Sequence, residues 1–508
     1  MAMESSTSFL LMSAIFFSAL LFYFHRNGSH RSRARPPGPP GWPVVGNMFD
    51  LGSIPHQTLA ELHKKYGPVL SLRLGSVNTL VILSAEATTE LFKNHDLSFA
   101  GRSIVEAMRA CSYNEGSMAL AQYGPYWRLL RRLCTTQLFV NRRLNETITV
   151  RKKCVEDMVK SIAEEAQKNS SVDLNTFVYF TVFNLVGKLT LSCNLLDTEM
   201  KEGAELARLN AEATELTGKP NVADFFPLLR WFDPQGIRRR METILRRSMD
   251  IAGKFIEDHR KNQRLHKETD QKDLLDVLMG FRGDGKEEPA QLSDRDLKIL
   301  IVELFMAATD TTTSSIEWAM AELLRSPGSL RKVQEELDQV VGQSRTIEEK
   351  HIGQLPYLTA VIKETLRLHP PLPFLVPRRA VKDTEFMGYS IVKDTQVFVH
   401  AWAIGRDPAC YDDPSSFKPE RFLNADVDYR GHHFQLIPFG AGRRMCPGMP
   451  LADRTLPLLL GSLLHSFDWA LDGNVATEMI DMTERMGITL RMAKPLNVIP
   501  KLRMRSIM

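Results

Sequence analysis

One cysteine stands in a loop whose neighbours could hold it as a thiolate. The loop reads Phe439-Gly440-Ala441-Gly442-Arg443-Arg444-Met445-Cys446-Pro447-Gly448. Its glycines let backbone lie against a flat macrocycle, its amides can point at the sulfur, and its arginines suit planar recognition of carboxylates. These properties fit a thiolate bound to haem iron, with Arg444 better spaced than Arg443 to pair with a haem propionate. A buried, unreactive thiol is the alternative, but it explains neither the glycines nor the arginines.

A second chemical signal lies within a long helix predicted over residues 294–325. Ser293 is its predicted N-cap, with an acidic residue three positions on. Residues 307–315 are rich in hydroxyl side chains, which can bond backbone carbonyls and predict a local distortion. Asp310 and Thr311 pair an acid with an alcohol, as proton delivery requires. A solvated polar face is the alternative, and the apolar flanks argue against it.

Both segments resemble signatures of the cytochrome P-450 monooxygenases. The loop matches F-x-x-G-x-R-x-C-x-G at each fixed position, as Phe439, Gly442, Arg444, Cys446 and Gly448. The helix resembles [AG]-G-x-[DE]-T-[TS], although Ala308 replaces the usual glycine and should narrow the pocket. The resemblance implies haem b with Cys446 as axial ligand to the metal, Thr311 hydrogen-bonding dioxygen, and Asp310 bringing protons.

Further haem contacts are implied by the same resemblance. Trp127 and Arg131 are four residues apart, so they share a helix face, and they resemble the propionate-binding W-x-x-x-R pair. Arg378 is a third propionate candidate, with Arg379 beside it as the alternative.

A structural network is also implied. Glu364 and Arg367 are three apart on a predicted helix, and Arg421 follows within Pro419-Glu420-Arg421-Phe422. By the resemblance, these three residues form a network that supports the haem loop.

The expected substrate contacts are apolar. The resemblance places them in residues 103–121, 206–221, 372–376 and 486–490 and on the helix face before Asp310. The individual candidates are Ala307, Ala308, Phe374, Leu375, Val376 and Ile488. They predict a lipophilic substrate, although each could equally be a core residue. Residues 400–408 and 454–459 are similar to the branch that hydroxylates terpenoids, with His400 where asparagine is commoner.

Composition fits a large folded chain and excludes other classes. The 508 residues carry a formal net charge of +4, without a basic block interleaved with aromatic residues, so nucleic acid is not an expected partner. The six cysteines are scattered without a C-x-x-C pair, which excludes zinc-finger and thioredoxin-like sites and fits a reducing compartment.

The N-terminus predicts a membrane anchor. Residues 5–24 carry no charge and would span about 30 Å as a helix. A cleaved signal peptide is the alternative, but no basic residue precedes the run. Arginines after it place the remaining chain in the cytosol, at the endoplasmic reticulum membrane. The predicted division is residues 1–28 as a single transmembrane anchor, 29–47 as a basic and proline-rich hinge, and 48–508 as a haem-binding catalytic domain.

The predicted fold class is mainly α with a small β region. Strands over residues 69–74 and 79–83 should form a hairpin. Helical periodicity is strongest over residues 141–166, 241–265, 294–325, 330–341 and 358–368. The resemblance implies the cytochrome P-450 fold, with residues 294–325 as a long helix over the haem.

The resulting hypothesis is a haem-thiolate monooxygenase that uses O2 to hydroxylate a lipophilic molecule, a terpenoid by resemblance. NADPH is not bound by this chain; its electrons arrive through NADPH-cytochrome P-450 reductase, with cytochrome b5 as a second donor. A phenolic or alkaloid substrate is one alternative. Others are a haem enzyme that rearranges its substrate without O2, and a non-catalytic membrane haem-binding protein.

Overall fold

The computed structural model describes residues 35–503 apart from 198–199, 266–272, 287, 343–345 and 473–476. The predicted membrane anchor, residues 1–28, lies outside the described residues. The α-helices in the described part are α1 Pro55–Tyr66, α2 Ala85–Asn94, α3 Tyr113–Gly116, α4 Pro125–Leu133, α5 Asn141–Glu146, α6 Ile148–Gln167, α7 Leu174–Leu191, α8 Lys201–Thr217, α9 Val222–Phe225, α10 Ile237–Leu265, α11 Leu274–Met279, α12 Asp294–Arg325, α13 Pro327–Val341, α14 Glu349–Ile352, α15 Pro356–Leu368, α16 Ala401–Ile404 and α17 Met449–Ser466.

The strands of the described residues are short and form four small sheets. They are β1 Val69–Leu74, β2 Val77–Ile82, β3 Gly101–Arg102, β4 Val172–Asp173, β5 Arg378–Arg379, β6 Thr384–Phe386, β7 Tyr389–Ile391, β8 Gln396–Val399, β9 Phe467–Leu471, β10 Glu484–Arg485, β11 Arg491–Met492 and β12 Asn497–Leu502. The largest sheet has the order β1-β2-β8-β5-β3. The predicted hairpin is therefore present, as β1 paired antiparallel to β2, within more β-structure than the sequence indicated.

The helix α12 runs through the protein core. Its first half packs in an apolar cluster with α8 and α10, and its second half packs in another with α15 and α17. Ser293 caps it through the predicted capping box with Asp296. Among the described residues, α12 alone is long and apolar enough to cross a membrane, but 67% of its most apolar stretch is buried, as in a core helix. Other predicted helices are present, except that residues 141–166 divide into α5 and α6.

The described part of the proline-rich hinge lies against the body of the protein. The carbonyl of Pro37 accepts a hydrogen bond from the Ser71 amide at 2.8 Å, and the Arg73 carbonyl accepts one from the Asn47 amide. A side chain on Gly38 would meet the Ser71 carbonyl oxygen at 1.9 Å, so this close approach requires glycine. The described part of the hinge therefore lies along the edge of β1.

Candidate functional site

The loop around Cys446 turns its backbone amides towards the sulfur. The Cys446 amide donates to the Phe439 carbonyl at 2.9 Å, which closes the loop. The sulfur receives the backbone N–H groups of Gly448 and Met449. Cys446 is accessible to solvent, although many protein atoms lie around its sulfur.

The thiolate form of Cys446 needs a cation. Burial raises the pKa of its thiol, while the Gly448 amide, Arg131 and the Met449 amide act in the opposite direction. Because burial dominates, the surrounding donors alone do not favour the thiolate. Haem iron would supply the missing positive charge, so this donor arrangement fits the expected cofactor.

Three side chains tie the loop to distant parts of the chain. Arg131, on α4, donates to the carbonyl of Met445, the residue before the cysteine. Arg378, on β5, donates to the Ala441 carbonyl at 3.0 Å and to the Asp96 carboxylate at 2.8 Å. Asp96 also accepts from the Arg443 amide at 2.9 Å. The predicted candidates Arg131 and Arg378 thus both lie at the loop, whereas Arg379 pairs with Asp394 away from it.

Arg444 lies on the ring of Trp127. Its guanidinium carbon is 4.3 Å from the ring centroid, and its nitrogens donate to the carbonyls of Ala100 and Ala121 at 3.0 and 2.8 Å. The Trp127 indole N–H donates to the Met118 carbonyl. Trp127 therefore supports an arginine of the cysteine loop as well as occupying the predicted position on α4.

A further buried arginine, Arg102, joins this group. It donates to the carbonyls of Ala119 at 2.8 Å and Val376 at 2.7 Å. Burial, followed by the charges of Arg444 and Arg378, lowers its pKa well below the usual value. Sequence reasoning missed Arg102, because a lone arginine in a two-residue strand gives no sign that it will be buried among others.

Four arginines at the cysteine loop, Arg102, Arg131, Arg378 and Arg444, carry more positive charge than the acidic side chains near them neutralise. Burial and the charge of Arg378 lower the pKa of Arg444 to about 9. The Nη1 atom of Arg444 is buried without a hydrogen-bond partner in the described protein. Since buried guanidinium groups normally have acceptors, this unfilled capacity fits anionic groups such as the two haem propionates.

The position of the Asp96 carboxylate leaves no space for a side chain at residue 442, which is Gly442. Its φ is +68°, and a Cβ there would meet the Asp96 carboxylate oxygen at 2.7 Å. The loop glycines were expected to let backbone approach a macrocycle, but at this position the neighbour is a carboxylate. Gly448 differs, since its Cβ would lie at ordinary contact distance, 3.7 Å, from the Cys446 sulfur.

The middle of α12 offers one small opening in an otherwise covered helix. Within residues 296–324, all of them described, Ala307 is the single exposed residue. Solvent therefore reaches the Ala307 methyl in the middle of this core helix. The Thr311 hydroxyl, one turn on, donates to the Ala307 carbonyl at 2.8 Å. The hydroxyls bond carbonyls as expected, but the expected distortion does not interrupt the helix.

Asp310 forms an ion pair that the sequence did not reveal. The carboxylate is buried and pairs with Arg491 on β11. The Arg491 side chain is 25% exposed, so the pair leads from the buried acid towards solvent. The two residues are 181 positions apart, and no motif marks Arg491.

Glu364, Arg367 and Arg421 are in direct contact. Glu364 receives two hydrogen bonds from Arg367, both at 2.7 Å, and one from Arg421 at 2.9 Å. Arg367 also donates to the carbonyls of Gly405 and Pro414. Its charge is therefore compensated within a buried network, consistent with a supporting role.

The remaining substrate candidates lie in different surroundings. Ala308 packs at the edge of the core cluster around the first half of α12. Phe374 is half-buried and packs against Phe398 and His400. Leu375 has a positive φ of 52°, and the Val376 carbonyl serves Arg102. Ile488 is half-buried, and its backbone lies beside Gly218 at the end of α8.

Comparison with known proteins decides the family. A model of the family described as Cytochrome P450 matches residues 36–499. The chain belongs to the cytochrome P450 family. Iridoid oxidase from Catharanthus roseus is 49% identical to this P450 over 493 residues, covering 96% of each chain. Cytochrome P450 76A2 from Solanum melongena is 48% identical over 504 residues, covering 98% of this chain and all of the relative. Geraniol 8-hydroxylase from Catharanthus roseus is 41% identical over 490 residues, covering 96% of this chain and 98% of the relative.

Family membership confirms the enzyme class and cofactor predicted from the sequence. This P450 is a monooxygenase of the haem-thiolate type, for which electrons supplied by a reductase are standard. The mainly helical cytochrome P-450 fold is likewise confirmed.

Proposed function

We propose that this P450 hydroxylates a terpenoid, with Thr311 and Asp310 as its catalytic residues and NADPH-cytochrome P-450 reductase as its electron donor. A C–H bond and O2, with two electrons and two protons, would give an alcohol and water. The exposed Ala307 methyl carries the proposal, because it places a small apolar surface one turn from Thr311. The names of two similar relatives, iridoid oxidase and geraniol 8-hydroxylase, favour a terpenoid.

Residues of this chain would hold the cofactor and move protons. Haem, when bound, supplies the iron chemistry that activates dioxygen and oxidises the substrate. Cys446 would hold the iron through its sulfur, while Arg102, Arg131, Arg378 and Arg444 would bind the propionates. Trp127 would support Arg444 by stacking.

Protons would reach the site through Asp310. Arg491 holds the carboxylate in an ion pair that is partly open to solvent. Release of that pair would let the acid exchange protons with water and pass them towards the Thr311 hydroxyl. That hydroxyl donates to the Ala307 carbonyl, and its oxygen can still accept a hydrogen bond from a proton donor.

A reconstituted turnover assay tests the substrate proposal. The full chain is combined with a plant reductase and NADPH, offered a panel of monoterpenoid alcohols and one phenolic ether, and analysed by mass spectrometry under ¹⁸O₂. We expect a terpenoid product carrying one ¹⁸O atom, absent in Cys446→Ser. Turnover without NADPH would indicate rearrangement, and a phenolic product alone would exclude terpenoid preference. A carbon monoxide band without any product would indicate a non-catalytic haem protein.

The proton route is tested with two arginines that face each other across one β-ladder. Arg491→Gln should lower the product formed per NADPH several-fold and enlarge the solvent deuterium isotope effect, because Asp310 loses its positioning partner. Arg485→Gln is the matched control, since Arg485 pairs with Arg491 in the ladder register but is exposed. Equal coupling in the two variants would exclude this role for Arg491.

We further propose that the protein lies on the endoplasmic reticulum membrane with its catalytic domain in the cytosol. Exposed apolar side chains support this, with Trp231 92% exposed beside Leu228 and Phe232. This loop neighbours the hinge, because the Ser76 amide donates to the Phe225 carbonyl and the adjacent Gly75 amide to the Val45 carbonyl. Liposomes should slow deuterium exchange in residues 225–232; unchanged exchange there would argue against membrane contact by this loop.

A further inference from the structure

Glu303 is a buried carboxylate to which neither the motifs nor the proposed chemistry gives a role. It lies on α12, two turns before Asp310, and is only 7% exposed. Its oxygens accept the Ser117 hydroxyl at 2.5 Å, the Met118 amide at 2.8 Å and the Ala119 amide at 2.9 Å. One side chain of the central helix thus holds three consecutive residues of the segment 117–121.

The same segment carries the acceptors for the cofactor-site side chains. The Met118 carbonyl accepts from Trp127 at 3.0 Å, the Ala119 carbonyl from Arg102 at 2.8 Å, and the Ala121 carbonyl from Arg444 at 2.8 Å. The Ala119 amide that Glu303 binds belongs to the same peptide unit as the Met118 carbonyl, which orients Trp127. Because a peptide unit is planar, fixing the Ala119 amide directly fixes that carbonyl. The next peptide unit carries the Ala119 carbonyl, which orients Arg102. The Ala121 amide is held by the Ser117 carbonyl at 2.8 Å, so both arginine acceptors are restrained through their neighbours.

We propose that Glu303 is a positioning residue for the cofactor: through residues 117–121 it fixes the buried arginines that receive the haem propionates. Its negative charge also acts directly, since it partly offsets the fall that burial causes in the pKa of Arg102. The role rests on haem binding, which belongs to the family, and not on the proposed terpenoid substrate.

Burial opposes the charged form of Glu303, and its hydrogen-bond donors favour it. Burial raises the pKa of Glu303, while Ser117, the Ala119 and Met118 amides and Arg102 act in the opposite direction. A glutamine at this position would retain one oxygen acceptor but would present an N–H group to donors, so at least one of the three contacts would break. The segment would then lose its fixed position without loss of side-chain volume.

The test compares Glu303→Gln with Glu317→Gln in the full-length, haem-loaded protein. Glu317 is the matched control, because it lies on the same helix, is 2% exposed, and also accepts a side-chain and a backbone donor, from Asn175 and Leu496. Haem loss is followed by transfer to apomyoglobin, the reduction potential by redox titration, and global stability by urea unfolding. The carbon monoxide band of the wild type independently establishes haem binding.

We expect Glu303→Gln to lose haem roughly tenfold faster or more, as loss of a charge-assisted contact predicts, and to have a raised reduction potential because a nearby negative charge is gone. Glu317→Gln should change neither, at a similar loss of stability. If both variants lose haem alike, or Glu303→Gln keeps the wild-type rate and potential, Glu303 only stabilises the fold. Should Glu303→Gln fail to fold, Ser117→Ala decides by the rate of haem loss alone, because it leaves the Glu303 charge in place; its control is Ser314→Ala, another buried hydroxyl donor.

Discussion

Replacement of Asp96 by asparagine should expose the charge imbalance at the cysteine loop. Asp96 is 4% exposed and accepts from the Arg378 guanidinium at 2.8 Å and from the Arg443 amide at 2.9 Å. The asparagine would keep one oxygen but no charge, so Arg378 would stay buried without its anion. Breaking a buried pair costs about 3 to 5 kcal/mol; because one acceptor oxygen is retained, we expect a cost of about 3 kcal/mol in the free energy of unfolding.

The neighbouring arginine provides the control. Arg379 pairs with Asp394, whose side chain is 59% exposed, so Asp394→Asn should cost less than about 1 kcal/mol. Urea unfolding gives both free energies by linear extrapolation. A cycle of Asp96→Asn, Arg378→Gln and the double variant isolates the interaction energy of the pair. If Asp96→Asn were as mild as Asp394→Asn, the buried pair would not hold the loop. If Asp96→Asn alone and the double variant have the same free energy of unfolding, the two residues are strongly coupled, which is the expected result.

Three further changes test other parts of the structure. Gly442→Ala should lower the free energy of unfolding by about 1 to 3 kcal/mol and reduce haem content, because its φ of +68° and the 2.7 Å approach to Asp96 both oppose a side chain. Gly448→Ala is the control and should fold normally; equal haem contents in the two variants would contradict the prediction. Glu364→Gln should sharply reduce the yield of folded protein, since two arginines lose their shared anion; a soluble variant with wild-type stability would contradict the network. Burial raises the pKa of Asp224 to about 6, so the folded state binds this proton more tightly than the unfolded state does. The free energy of unfolding should therefore fall as pH rises from about 4 to 6. Asp224→Asn should flatten this part of the plot of unfolding free energy against pH, and an unchanged slope would contradict the reasoning.

Local signals predicted much of the scaffold. The capping box at Ser293 and the apolar periodicity after it gave the bounds of α12, Asp294–Arg325, and the hairpin β1–β2 followed from its alternating residues. Both depend on residues close in sequence, where hydrogen bonding and side-chain spacing act directly. The division between α5 and α6 at Thr147 was missed, because helical periodicity continues across it.

Charges paired across the fold could not be predicted in the same way. Asp96 and Arg378 are 282 positions apart, and Asp310 and Arg491 are 181 apart. Charged residues are usually solvated, so only the folded chain shows which of them lose water and need a partner. The ring of Phe374 likewise packs against Phe398 and His400, residues that no local pattern brings next to it.

The arginines at the cysteine loop donate hydrogen bonds to main-chain carbonyls more often than to side chains. This has a consequence for sequence variation. Arg131 holds the Met445 carbonyl, Arg378 that of Ala441, and Arg444 those of Ala100 and Ala121. Every amino acid carries the same carbonyl, so those four positions can change without loosening the arginines if the new side chain fits. Mutational tolerance around the loop should therefore be uneven: libraries can vary the half-buried Met445, packing restricts the buried Ala100, Ala121 and Ala441 to small side chains, and Asp96 and Gly442 must stay fixed.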